Sequence, residues 1–283
     1  MLFSTVVGAL ENVYQKKSTV HFNVYLVVWS ILVVSSILYL PILMHTGVPA
    51  SVGPLFWQAV ILRMVIDSFS FVLFVKALGM THLSLAMPMT AFQPVFLLVV
   101  SLLINHLFPT PVGIIGVLIV VGGVYYLNFD RYTKHLLSPF RNIKNEKAVQ
   151  LMLVAAFLWS IVTALERLGI DNSNFLFYTA FFQLFWAICF TPLAIAADRH
   201  AFKRLLRLHS LKVLAPMGVL DAAQMLLQNA AIAMTLPVYI SAIGGTTILF
   251  AALFGHYFFG EKIGDKFVPT MVIIAGVTLM AFA

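Results

Sequence analysis

Two stretches of otherwise apolar sequence carry side chains able to bind or move a polar solute. In the first, Arg63 and Asp67 stand at i and i+4 and share one helix face, with Ser70 a turn further on. In the second, Asp221, Gln224 and Gln228 follow at i, i+3 and i+7, one stripe on one face, with Asn229 beside it. An ionisable residue at the centre of a membrane-spanning helix costs about 2.5–3.5 kcal/mol on the insertion scale, against roughly −0.3 to −0.6 for each Leu or Ile. Such a group pairs, faces water or takes up a proton. Arg63 and Asp67 either neutralise each other or wall a cavity, Arg63 toward an anionic group and Asp67 toward a cation or proton. No basic residue in its own stretch pairs with Asp221, so water, Arg63 from another helix, or a proton must satisfy it. Protons are therefore a candidate coupling ion through Asp67 or Asp221.

Other residues extend this set. Glu11 and Glu166 sit near the ends of their apolar runs, beside Lys16 and Arg167. They are read as interfacial acids or as gates at a cavity mouth. Pro88, Thr90, Gln93 and Pro94 interrupt one run; Ser241 and Gly244-Gly245-Thr246-Thr247 interrupt another. Backbone freed in this way is tolerated only beside protein or a water-lined cavity. Kinked helices flanking a site are expected, with Gln93 and Thr246 facing it. Trp159, just before Ser160, is the indole expected to reach the cavity. Gly113, Gly116, Gly122, Gly123, Gly264 and Gly276 read as helix-contact glycines.

Several chemistries lack their residues. There is no Gly-x-x-x-x-Gly-Lys-Ser/Thr, no His-Glu-x-x-His and no Gly-x-Ser-x-Gly. Cys189 is the single cysteine, so neither an intramolecular disulfide nor a thiolate metal site can form. His256 is the one histidine placed deep in a run, and no histidine pair has metal-ligand spacing. An enzyme, a cofactor and a metal are not expected.

The elements positioning these residues follow from composition. Of 283 residues, 61% are hydrophobic and 10% charged, against about 45–50% and about 25% in soluble domains. Too little polar surface exists to cover a water-soluble globule. Runs of about 20 apolar residues cross a bilayer core, and ten are predicted: 2–15, 23–44, 55–78, 83–105, 112–129, 149–167, 174–197, 212–235, 237–259 and 267–283. The first is short and carries Glu11.

Net charge is +7. In a soluble protein that would suggest nucleic acid; here the basic residues sit between apolar runs, so the anionic inner leaflet is the partner and nucleic acid is not. All of the 17 Lys and Arg except Arg63 and Arg167 fall in or beside alternate loops, which places those loops in the cytoplasm and both termini outside. Residues 130–148 form a basic cytoplasmic linker. The stretch Arg199–Arg207 has the amphipathic spacing of a surface-lying helix.

A shift of 154 residues superposes the two halves. Val65-Ile66-Asp67, Leu73, Ala77 and Met80-Thr81 fall on Val219-Leu220-Asp221, Leu227, Ala231 and Met234-Thr235; Gly122 meets Gly276. Glu11 and Glu166 match at a shift of 155, and Pro41 and Pro192 take similar places. Five helices per half is odd, so the halves insert with opposite topology, a pattern of secondary transporters with the site between repeats. The expected fold is all-α: a first five-helix repeat at 1–129, the linker at 130–148 and a second repeat at 149–283, inverted around a central cavity.

Ala77-Leu78, Leu83-Ser84-Leu85-Ala86-Met87-Pro88 and Pro94-Val95-Phe96, together with Phe259-Gly260-Glu261-Lys262, carry a resemblance to EamA-type members of the drug/metabolite transporter superfamily. Asn105-His106 stands where the first repeat usually has a Gly-Glu pair. The resemblance covers almost the whole chain. It implies efflux of amino acids, metabolites or drugs, and cytoplasmic termini, opposite to the charge count. The expected activity is transport of a small amphipathic solute across the cell (inner or plasma) membrane, by a monomer or homodimer. Substrate contacts are expected from Arg63, Asp67, Gln93, Trp159, Asp221, Gln224, Gln228 and Thr246. The alternatives are a carrier of lipid- or nucleotide-linked groups, which would need several cavity cations, and a non-transporting scaffold or sensor.

Overall fold

A computed structural model of the chain describes residues 1–49, 51–80, 87–127, 146–199, 208–260 and 267–282. The described residues form helices and no strand. In chain order these are α1 (Leu2–Thr19), α2 (Val24–Thr46), α3 (Phe56–Met80), a 3₁₀ segment (Met87–Phe92) leading into α4 (Gln93–Asn105), α5 (Pro111–Leu127), α6 (Lys147–Asp171), α7 (Phe175–Ala197), α8 (Leu208–Met234), α9 (Pro237–Gly244), α10 (Thr247–Phe259) and α11 (Phe267–Ala281).

Among the described residues, five segments are long and apolar enough to cross a membrane: α2, α3, α6, α7 and Pro237–Phe258; shorter apolar helices accompany them. The outer surface is that of a protein dissolved in lipid. Leu62, Phe69, Leu103 and Ile188 are each more than half exposed, where a soluble monomer keeps contiguous apolar patches small. The interior, in contrast, buries Arg63 at 1% exposure. This inside-out distribution is what a bilayer solvent selects.

Local sequence sets the helix ends. Asn23 and Asn174 accept hydrogen bonds from the backbone N–H of Tyr25 (3.0 Å) and Phe177 (2.8 Å), capping α2 and α7. Gly47 and Gly260 end α2 and α10 at positive φ, 64° and 67°, the conformation glycine adopts without steric cost. His106 ends α4 in the same left-handed region at φ 54°. It thus does the work of a C-terminal glycine at the place where the sequence departs from the family pattern.

Long packing seams tie the bundle together: α3 along α6, α1 along α8, α2 along α7 and α5 along α11. Glycine makes the last seam possible. A Cβ on Gly276 would stand 2.8 Å from the Val120 amide nitrogen and 2.9 Å from the Gly116 carbonyl oxygen, so the two backbones touch. Gly116 and Gly123 face α11 in the same way, and Gly113 makes room for the Tyr239 hydroxyl. Gly122 is different: nothing lies within 4 Å of its would-be Cβ, so it is not a contact glycine.

Three expectations change in detail. α1 runs to Thr19 rather than residue 15, about 27 Å at 1.5 Å per residue, because Lys16 and Lys17 complement its C-terminal dipole. The run at 237–259 is two helices with a break at Gly245–Thr246. Within the run at 83–105, Met87–Phe92 is a 3₁₀ turn that leads into α4 ahead of Pro94. The linker at 130–145, most of Arg199–Arg207, Leu83–Ala86, and Glu261, Lys262 and Gly264 lie outside the described residues.

Candidate functional site

A cavity of about 210 Å³ lies inside the bundle, walled by α1, α3, α6 and α8 and by the segments around the two helix breaks. Of the residues singled out in the sequence, Glu11, Arg63, Asp67, Gln93, Trp159, Glu166, Asp221, Gln224 and Gln228 all line it. Thr246 does not. Its hydroxyl turns back to the Ile243 carbonyl (2.7 Å) and it is buried, while Thr247, the first residue after the break, faces the cavity.

Arg63 is the electrostatic centre. α3 presents it and Asp67 on the same face, but its shortest ion pair is to Glu166 of α6, at 2.8 Å; Asp67 lies 3.7 Å away. Nη1 donates to the Tyr178 hydroxyl (3.2 Å), and the guanidinium lies 3.9 Å above the Phe182 ring, a cation–π contact worth about 2 kcal/mol when desolvated. Ser70 donates to Asp67 (3.2 Å). The mutual Arg63–Asp67 pair is therefore a triad in which Glu166 holds the stronger position. Glu166 is neither interfacial nor paired with Arg167. It is 1% exposed, and Arg167 turns outward to Asp171 (2.8 Å). Gln228 also reaches Glu166, at 3.5 Å.

Glu11 is likewise buried rather than placed at a helix end; it accepts a hydrogen bond from Gln15 one turn on. Asp221 does not pair with Arg63. It accepts from the Ser35 hydroxyl of α2 and from Gln183 of α7 (3.0 Å). Gln93 donates to the Thr163 hydroxyl (3.1 Å), tying the start of α4 to α6. Gln224 lies over Gly8, where a Cβ would stand 2.3 Å from its side-chain oxygen. Asn229 is fully buried and donates to the Thr179 hydroxyl (2.7 Å), a packing contact outside the cavity wall.

Phe71, Phe74, Trp159 and Trp186 give the cavity an aromatic wall. Trp186 is fixed by its indole N–H to Ser68 (2.8 Å), and Trp159 packs against Phe74 with the rings tilted by 52° and their centroids 4.7 Å apart. Trp29 and Trp57 point elsewhere: Trp29 donates to Thr191 (2.9 Å), and Trp57 is half exposed. Cys189 and His256 lie on exposed faces. Among the described residues no group of His, Cys, Asp and Glu could hold a metal ion.

The EamA-like transporter family model matches residues 1–129 and 146–282. The chain belongs to the EamA-like transporter family. It is a multi-pass membrane protein of a family that carries solutes rather than transforming them. A solved structure described only as "Crystal structure of protein" superposes with a TM-score of 0.67 over 99% of this chain and 96% of its own, at 11% identity; that likeness is one of fold. A search of curated proteins finds no match.

For this family member, sequence reasoning passed over Ser35, Gln183 and Tyr178. Gln183 had a usable signal, a lone amide at the centre of a long aromatic run. Ser35 had none, since a serine hydroxyl in an apolar helix usually bonds its own backbone; Tyr178 had none, being one ring in a run rich in aromatics.

Proposed function

We propose that the chain is a secondary-active or facilitative transporter of the cell (inner or plasma) membrane that exports a small metabolite by alternating access. In this reading ten spans form two inverted five-helix halves, 1–129 and 149–283, joined by the cytoplasmic linker 130–148. The side chains that line the cavity bind the solute, and Glu11 and Glu166 move as the cavity opens. The protein works as a monomer or homodimer.

The observation that carries this is a polar, charged cavity with walls from both halves, inside a bundle whose outer face is apolar. The repeat relation reaches the cavity wall itself: Asp67 and Asp221, Phe71 and Met225, Phe74 and Gln228, and Gln93 and Thr247 are each 154 residues apart, and all line it. The packing is related in the same way, with α3 against α6 as α8 is against α1. Two similar half-bundles around one site can exchange roles, which is the basis of alternating access. The volume, about 210 Å³, falls below the roughly 300–1,000 Å³ of drug-sized sites and favours a small solute. A carrier of nucleotide-linked groups is disfavoured: Arg63 is the one basic side chain among the described cavity residues, and acids already hold it.

The test is flux from proteoliposomes holding the purified chain, across a panel of small metabolites, with and without a pH gradient. Saturable flux of at least one solute above protein-free liposomes is expected, accelerated by the gradient if Asp67 or Asp221 carries a proton. Protein-free rates for every solute, from chain shown to be folded, would remove the transport reading.

A further inference from the structure

The cavity's charges do not balance. Among the described side chains lining it, four are carboxylates (Glu11, Asp67, Glu166 and Asp221) and one, Arg63, is a guanidinium. Arg63 is committed to the Glu166 and Asp67 side by distances of 2.8 and 3.7 Å and is covered by the Phe182 ring. Among the described residues, Glu11 and Asp221 have only neutral donors, Gln15 for the first and Ser35 and Gln183 for the second. The two acids open on the same space, and their charges repel. Lys17, on the same helix as Glu11, lies over the Phe258 ring and does not line the cavity.

A second observation points the same way. The Gln15 side chain is 1% exposed and lines the cavity, and its amide oxygen has no hydrogen-bond donor among the described residues. A buried acceptor left unmatched costs about 1–3 kcal/mol. What this end of the cavity lacks is therefore positive charge and N–H donors together. An anion would add acceptors to acceptors, and an uncharged solute would leave the two acids to be neutralised by protons alone in a low-dielectric interior.

We propose that the cavity takes a small organic cation, an ammonium or guanidinium group seated between Glu11 and Asp221 and donating to the Gln15 oxygen. The aromatic wall of Phe71, Phe74 and Trp159 receives its carbon skeleton, where ring faces attract cations and bury apolar surface alike. This names the substrate class of the transporter proposed above and rests on that reading for its role in flux.

The experiment compares three probes of one shape and different charge: benzylguanidinium, the neutral benzylurea and the anionic 3-phenylpropanoate. Binding is read from the thermal midpoint of the full chain in detergent, and flux from proteoliposomes. Benzylguanidinium should raise the midpoint and cross the membrane saturably, while the other two do neither. Glu11→Gln and Asp221→Asn should each weaken its binding tenfold or more. Equal midpoints with benzylguanidinium and benzylurea overturn the proposal, a comparison that needs only the unaltered chain; so does unchanged affinity in the double variant. Flux of benzylurea or the anion without flux of the cation sinks the cation site and leaves transport standing. Binding of the cation without flux does the reverse.

Discussion

Arg63 and Glu166 are both about 1% exposed and 2.8 Å apart. A buried pair of this kind adds little net stability over an apolar replacement, but removing one partner strands a charge and costs about 3–5 kcal/mol. Glu166→Gln is therefore expected to lower the unfolding midpoint of the detergent-solubilised protein sharply, since Asp67 at 3.7 Å is then the one carboxylate, among the described residues, left to pair with Arg63. Glu11→Gln, its repeat counterpart, should cost less than about 1 kcal/mol: the new amide oxygen still accepts from Gln15, and repulsion with Asp221 disappears. Equal losses from the two substitutions would contradict this division of roles. Spacing along one helix made Arg63, Asp67 and the stripe from Asp221 legible in the sequence. The pairing of Arg63 with Glu166 was not, because helix periodicity says nothing of which face of which neighbour a side chain meets.

At the scale of elements, close backbone contact between α5 and α11 rests on glycines at 116, 123 and 276. Gly276→Val should lower stability by about 1–3 kcal/mol, the usual range for overpacking, since besides the Val120 side chain the obstructing atoms are backbone, the Val120 nitrogen and the Gly116 oxygen, which cannot turn away. Gly122→Val, on a face with nothing within 4 Å, should leave the midpoint within about 0.5 kcal/mol. Thermal unfolding of the two variants side by side checks this, and a larger loss at 122 than at 276 would refute it. Most helices were legible from apolar run length alone, α2, α3 and α7 to within two residues at either end. The break at Gly245–Thr246 was legible as a weakness but not as a place, so Thr246 stood for Thr247. Likewise His106 hid a C-terminal cap that Gly260 advertises, because a left-handed conformation at a histidine has no composition signal.

The whole molecule is an apolar-skinned bundle around a charged space, and the account stands on that space being a solute path reached by water rather than a sealed polar core. Composition predicted the skin, and the internal repeat predicted that both halves would contribute; the size of the space and its excess of acids emerged only from packing. The path is tested most directly by thiol labelling. In a Cys189→Ser background, Gln224→Cys places a thiol on the cavity wall, and Leu62→Cys places one beside Arg63 in sequence but on the lipid face, where Leu62 is 53% exposed. A membrane-impermeant methanethiosulfonate should modify the thiol at 224 from both sides of the membrane and leave that at 62 unmodified. No modification at 224 from either side, in folded protein, would contradict the account.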